Sequence, residues 1–316
     1  MSSAPLSERS RHWSRYWAGG ALTSLPQDFA GNYDGEIATF WSRQCEQLSD
    51  GAVVVDVCTG NGAIALLIAA AARRLDRAWE ITGLDAARID IDQLARQHRG
   101  HAGLLADVHL RGDVPFENIT LADASVDLLV SQYGIEYCQW PAAASQSQRI
   151  LKSGGRLALV SHAPDSDMLT TMRGEAEDYA HLERLGLLPA IASWLDGRID
   201  AGQLRQHFGR TRRLIGRSKR ARSSPLFASV MQMLDSMWRQ PVEAYGRYRQ
   251  PLQAFHDQMV SSQGRLLDML RVNEAMIEAD DWTEVFVEAG LERVDSGELL
   301  YRQRHRAGRF YIFNKP

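Results

Sequence analysis

A chain of 316 residues, 45% hydrophobic and 24% charged, has the balance of a soluble globular protein, long for one compact domain and short for three. Its formal net charge of −3 speaks against a dedicated nucleic-acid binder. Three cysteines, Cys45, Cys58 and Cys138, in no CxxC spacing suit a reduced, cytoplasmic setting; the polar opening MSSAPLSERSRHW lacks the apolar core of a signal peptide, and the longest apolar run, Ala63–Ala72, is about half of a bilayer span.

Residues 1–50 are rich in aromatics: Trp13, Tyr16, Trp17, Phe29, Tyr33, Phe40 and Trp41. Gly19-Gly20, Pro26 and Gly31 break the segment into short pieces, and Asp34–Leu48 predicts a helix. Such a segment serves either as a lid closing aromatic faces over a ligand or as a strap docked on the core. Next comes VVVDVCTGNGAIALLIAAAA, residues 53–72. Val53, Val54 and Val55 predict a strand buried on both faces, and Ala63–Leu75 predicts a helix. Between them lies a tight small-residue turn, Cys58-Thr59-Gly60-Asn61-Gly62. Strand, glycine turn and helix in that order build a loop that cradles a nucleotide, because glycine lets backbone approach closely and the helix start offers free N–H groups.

Two ligand classes use such a loop. Gly60-x-Gly62-x-x-Ala65 fits a dinucleotide pattern, with Asp85 placed 23 residues beyond Gly62 as a ribose-binding acid. Asp56 separates the two, since an acid at the mouth of the turn would repel an anionic pyrophosphate and favour the cationic ammonium of S-adenosylmethionine. The stretch resembles motif I of the class I S-adenosylmethionine-dependent methyltransferases, and later segments fall in register with that family. Trp79–Leu84 predicts the second strand, and Asp85, followed by Ala86, stands where the family's motif II acid accepts both ribose hydroxyls. Arg88–Arg99 predicts a helix and Val108–Val114 a third strand. PFENITLADASVDLLVSQYGIEYC, residues 115–138, is similar to the family's run before strand four, with Glu117, Asp123, Ser125 and Asp127 at matching spacing. The resemblance implies that Phe116 and Glu117 flank adenine, although Pro115 holds the place of the usual adenine-site acid. Val126–Val130 predicts strand four, so Ser131, Gln132 and Tyr133 should face the methionine end of the cofactor. The Asn/Asp-Pro-Pro-aromatic signature of base amino-methyltransferases is absent.

Pro141–Leu151 predicts a helix, followed by a turn at Lys152–Gly155 and a fifth strand at Arg156–Ser161; LKSGGRLALV resembles the family's LKPGG turn. A helix near Trp282–Glu288 and strands at Leu291–Tyr301 and Gly308–Asn314 complete the core as a hairpin. Between these lie helical segments at Asp165–Leu188, Pro189–Leu195, Gly202–Phe208, Pro225–Arg239 and Pro241–Ala279. Their Leu226, Phe227, Met231, Met233, Leu234, Met237 and Trp238 either face a large apolar ligand or pack the segment's own core or a dimer partner.

The expected fold is therefore α/β, a doubly wound Rossmann-like sheet with a C-terminal antiparallel hairpin and a helical insertion. The expected parts are an aromatic lid (1–50), a cofactor core (51–162), a substrate cap (163–280) and the end of the core (281–316). The resemblance implies methyl transfer from S-adenosylmethionine to oxygen or carbon of a small, partly apolar metabolite. An NAD-linked oxidoreductase and a non-catalytic cofactor-binding partner protein are the alternatives. In similar methyltransferases a Tyr or Trp ahead of the core touches the cofactor, which implies Trp17 and Tyr33. The remaining expected cofactor contacts are Asp56, the turn Cys58–Gly62, Asp85, Ala86, Phe116, Glu117, Ser131, Gln132 and Tyr133. His162, ending strand five, is a candidate base, with Glu136 and Tyr137 as rivals. No metal site is expected. RQHFGRTRRLIGRSKRAR, residues 205–222, is basic without an acid, which suits either a solvated loop or an anion site at Arg212 and Arg213. Expected partners are a small-molecule substrate and a second copy of the chain through the helical insertion, with no nucleic acid and no membrane span.

Overall fold

A computed structural model describes residues 6–24, 29, 31–164, 166–218 and 223–316. Of the residues singled out in the sequence, Pro26, Asp165, Lys219, Arg220 and Arg222 lie outside these. The chain divides into two compact units, Met1–Pro164 with Arg271–Pro316, and Asp165–Leu270.

The first unit opens with helices α1 (Leu6–Ala18) and α2 (Gly35–Cys45). Then β1 (Val53–Val57), α3 (Ala63–Leu75), β2 (Glu80–Leu84), α4 (Ile91–Gln97), α5 (Ala102–Leu105) and β3 (Val108–Arg111) alternate. β4 (Val126–Gln132), α6 (Trp140–Ile150) and β5 (Leu151–Ser161) follow. The sheet runs β3-β2-β1-β4-β5 in parallel register, extended by the C-terminal hairpin strands in the order β7-β6. From β1 the chain winds outward to β2 and β3, then returns to β4 on the other side of β1. The carboxyl ends of β1 and β4 therefore open the ligand crevice of a doubly wound sheet. Alternation along β1 sends Val54 to one buried cluster and Val55 and Val57 to the other, so both faces of the sheet are covered.

Local chemistry moves some boundaries from their expected places. Helix α4 begins at Ile91 rather than Arg88, because the Asp90 side chain accepts the Gln93 N–H at 2.8 Å as an N-cap. The expected turn at Lys152–Gly155 is an irregularity inside β5: the register passes from Val126–Leu151 to Leu128–Arg156.

The second unit holds α7 (Ser166–Arg184), α8 (Leu187–Leu195), α9 (Ala201–Arg217), α10 (Pro225–Trp238) and most of α11 (Arg249–Glu278), whose residues from Arg271 belong to the first unit. The first unit closes with α12 (Glu284–Glu288), β6 (Glu292–Tyr301) and β7 (His305–Asn314). The long helix expected from Pro241 starts instead at Arg249, after a 3₁₀ stretch over Val242–Tyr248. Pro251, without an N–H, then falls in the first turn of α11, where that hydrogen is not needed. Helix α9 runs through the basic stretch, so its described part is helical rather than a loop; Asp200 and Gln203 form a capping box at its start. Leu226, Phe227, Leu234 and Met237 are buried in the unit's own core with Phe208 and Tyr245, and Met231 and Met233 pack against it.

Candidate functional site

The crevice is built around the turn after β1. Cys58, Gly60 and Gly62 all have positive φ (57°, 55° and 84°). At Gly60 a side chain is excluded twice, by that backbone and by the Trp17 ring, which fills the space of a Cβ. The turn is closed by the Gly62 N–H donating to the Thr59 carbonyl at 2.9 Å and tied to β2 by the Thr59 N–H donating to Leu84 at 3.0 Å.

Asp56 lies beneath this turn rather than at its mouth. Its Oδ2 accepts the Thr59 hydroxyl at 2.5 Å and the Ala65 N–H at 3.1 Å, so one carboxylate oxygen clamps turn to helix. Its Oδ1 is buried without a partner. Burial pushes Asp56 up to about 7, against those bonds. Asp85 spans the crevice from β2: Oδ2 accepts the Gly60 N–H and Oδ1 the Ala87 N–H, both at 2.7 Å. Burial raises it to about 6 despite the two amides. The two carboxylates thus grip opposite sides of the glycine turn.

Helix α1 supplies the aromatic edge. Asn61 Nδ2 donates to the Trp17 and Ala21 carbonyls at 3.0 and 2.7 Å, drawing the end of α1 onto the turn. Tyr33 is buried, with its hydroxyl 2.9 Å from Ser24 Oγ. At the end of β4, Ser131 is a staple: its hydroxyl donates to Val57 O at 2.8 Å and accepts the Ile135 N–H at 3.1 Å. Gln132 Oε1 accepts the indole N–H of Trp41 at 2.6 Å, while its Nε2 is buried without a partner. Tyr133 has positive φ (54°), donates its hydroxyl to Ala307 O and packs its ring on His162 at 4.9 Å. Phe116 is buried; Glu117 Oε1 accepts the Gln139 N–H at 2.9 Å ahead of α6. Ala86 follows Asp85 and is half-buried.

The candidate base and its rivals come together. Glu136 is buried, and its Oε1 accepts both the backbone N–H of His162, at 3.1 Å, and His162 Nδ1, at 2.8 Å. A carboxylate on Nδ1 assigns the proton there and leaves Nε2 as the free basic atom. Glu136 Oε2 is buried without a partner. Tyr137 stands 5.9 Å from the imidazole, against Trp13 of α1 at 5.6 Å. Arg212 and Arg213 belong to the second unit, on α9, where Arg212 Nε pairs with Asp235 of α10. Arg205 there stacks over Trp238 at 4.6 Å. Among the described residues no group of His, Cys, Asp or Glu could hold a metal ion, and no helix is long and apolar enough to cross a membrane.

Three site features are invisible in spacing: the Trp41–Gln132 bond, the Ser131 staple, and the approach of Cys58 to Cys138, whose sulfurs lie 3.7 Å apart. Each joins residues from separate elements, and a single sequence carries no signal of such pairing.

A family described as "Methyltransferase domain" matches residues 54–155. Malonyl-[acyl-carrier protein] O-methyltransferase of Pectobacterium atrosepticum is 33% identical over 93 residues, 28% of this chain and 35% of that protein. The ubiquinone/menaquinone biosynthesis C-methyltransferase UbiE of Rubrivivax gelatinosus is 28% identical over 167 residues, 50% of this chain and 57% of that protein. The chain therefore spans between about a third and a little over half the length of these curated relatives. A solved TehB-like S-adenosylmethionine-dependent methyltransferase from Corynebacterium glutamicum is 14% identical, covering 98% of this chain and 100% of that one, with a TM-score of 0.42.

Proposed function

Residues 54–155 belong to the class I S-adenosylmethionine-dependent methyltransferases, and from that premise we propose that this chain moves a methyl group from S-adenosylmethionine to oxygen or carbon of a small, partly apolar metabolite. The carrying observation is the grip of Asp56 and Asp85 on the Gly60 turn inside the matched segment. The residues present fit the cofactor. Asp56 Oδ1 and Glu136 Oε2 are buried acceptors without partners, and Gln132 Nε2 is a buried donor without one. Carboxylates suit ribose hydroxyls and a cationic amino group, and they oppose a pyrophosphate, which disfavours the dinucleotide alternative. When bound, the cofactor supplies an electrophilic methyl on a sulfonium whose leaving group needs no protonation.

The protein's share is to hold, desolvate and deprotonate. Trp17, Tyr33 and the Gly60 turn form the cofactor cradle, with Gln132 and Tyr133 at its methionine end. Asp85 exchanges its backbone amides for ribose hydroxyls or shares them. His162 Nε2 takes the proton of an O–H or acidic C–H substrate as its nucleophile forms the new bond. Glu136 keeps the imidazole in the needed tautomer and stabilises the imidazolium that results. The names of the two relatives, an O- and a C-methyltransferase, support those acceptor atoms over nitrogen. The helical insertion, residues 165–270, we assign to substrate selection.

Calorimetry with S-adenosylmethionine tests the cofactor: Asp85→Ala should weaken binding at least tenfold, since hydrogen bonds to a charged acceptor contribute about 1.5–3 kcal/mol each. Unchanged affinity removes Asp85 from the site. Mass spectrometry of labelled methyl incorporated from a cell extract, with and without the protein, identifies the acceptor.

A further inference from the structure

We propose that Cys58 and Cys138 are a redox-active dithiol, oxidised to a disulfide by hydrogen peroxide, and that the bond disables the Gly60 turn. The consequence for binding rests on the reading that this turn holds S-adenosylmethionine; the chemistry of the pair does not. Their sulfurs lie 3.7 Å apart, one on the turn after β1 and the other beyond the 3₁₀ turn after β4. Both are partly exposed, so a small oxidant reaches them. Gly134 admits the approach, because a Cβ there would overlap that of Cys58. The third cysteine is a built-in control: Cys45 is fully buried, donates to Trp41 O at 3.3 Å, and burial pushes its thiol up to about 12.

The hydrogen bond to Cys138, followed by burial, holds the Cys58 thiol well above its ordinary range. Either thiol can donate to the other, and we place the first attack at Cys138 Sγ, since a thiol held protonated is the poorer nucleophile. Cys138 Sγ attacks the peroxide: an S–O bond forms, the O–O bond breaks, and the displaced oxygen leaves as water with the thiol proton. Cys58 Sγ then attacks Cys138 Sγ: the S–S bond forms, the S–O bond breaks, and the hydroxyl leaves as a second water with the Cys58 proton. Two thiols lose two electrons and one hydrogen peroxide gains them.

Closing the sulfurs to the roughly 2 Å of a disulfide pulls on Cys58. That residue already has φ of 57° and sits two positions from the Gly60 amide that Asp85 holds. A shift there moves the cradle itself.

The full-length chain, reduced and then treated with hydrogen peroxide, is mapped by mass spectrometry after alkylation and titrated calorimetrically with S-adenosylmethionine. The expected result is a loss of two hydrogens, a cross-link between the Cys58 and Cys138 peptides, and affinity at least tenfold weaker, restored by dithiothreitol. Cys138→Ser should form no cross-link and keep its affinity through peroxide; Cys45→Ser should respond as the parent does. Sulfinic acid at Cys138 without a cross-link overturns the dithiol, and a cross-link with unaltered affinity overturns the switch. If the reduced protein does not bind S-adenosylmethionine, the cofactor reading fails, and the mapped cross-link alone decides the pair.

Discussion

His162 and Glu136 set the chemistry at the residue scale. If Nε2 takes the substrate proton, His162→Ala should lower the single-turnover methyl-transfer rate about a hundredfold while cofactor affinity stays put. Glu136→Gln should lower the rate less, because a neutral partner on Nδ1 stabilises imidazolium poorly. Full activity in His162→Ala leaves proximity as the mechanism. The two raised carboxylates make a second prediction. Folded-state values of about 7 for Asp56 and about 6 for Asp85 exceed the ordinary 3.8, so the folded apo-protein binds protons that the unfolded chain releases. Their contribution to stability is full below pH ~4 and lost as pH rises through 6 and 7. Melting of the apo-protein should therefore fall across that window from these groups, while affinity for the cationic cofactor rises; a flat affinity profile from pH 5.5 to 8 contradicts the assignment. Asp85→Ala should also destabilise the apo-protein by about 1–3 kcal/mol, because the Gly60 and Ala87 amides lose their acceptor.

At the scale of elements, the turn after β1 and the helix α9 are specified by different means. Gly60→Ala faces both the left-handed backbone and the Trp17 ring, so it should cost about 1–3 kcal/mol and release α1 from the turn, raising amide exchange over Leu6–Ala18. Unaltered exchange there means that α1 is held by other contacts, such as the Arg9 Nη1 bond to Tyr137 O at 2.6 Å. Helix α9 is fixed by its capping box, and Asp200→Ala should cost about 1 kcal/mol by thermal melt. Two of its basic residues are engaged: Arg212 pairs with Asp235, and Arg205 donates to the Gln240 and Trp238 carbonyls. Charge reversal at Arg213 probes an anion site there.

For the whole molecule, two units with separate buried clusters imply that unfolding need not be a single transition. Phe208 is fully buried in the insertion's core, so Phe208→Ala should cost about 3–5 kcal/mol. Calorimetry should show that loss in one transition only, while S-adenosylmethionine raises the other. A single transition moved by both changes shows that the units unfold together.

Periodicity and composition alone determined the alternating core: the helix Ala63–Leu75 and the starts of β1, β3 and β4 are where the apolar runs place them. These elements are local, since a buried parallel strand or an Ala-rich helix is written in consecutive residues. The glycine turn and Asp85 were legible for the same reason, being tied to strand ends. Tertiary structure decided the rest. Asp56 was read as an acid at the mouth of the turn, yet it lies beneath it with Oδ2 accepting from Thr59 and Ala65, because only the folded turn brings those groups over it. The meeting of Glu136 with His162, of Trp41 with Gln132 and of Cys58 with Cys138 depends on where β1, β4 and β5 lie in the sheet. The apolar side chains of α10 faced two open readings until packing placed most of them in their own core. A single sequence records which side chains are available; pairing across strands is a property of register, and register exists only once the sheet has formed.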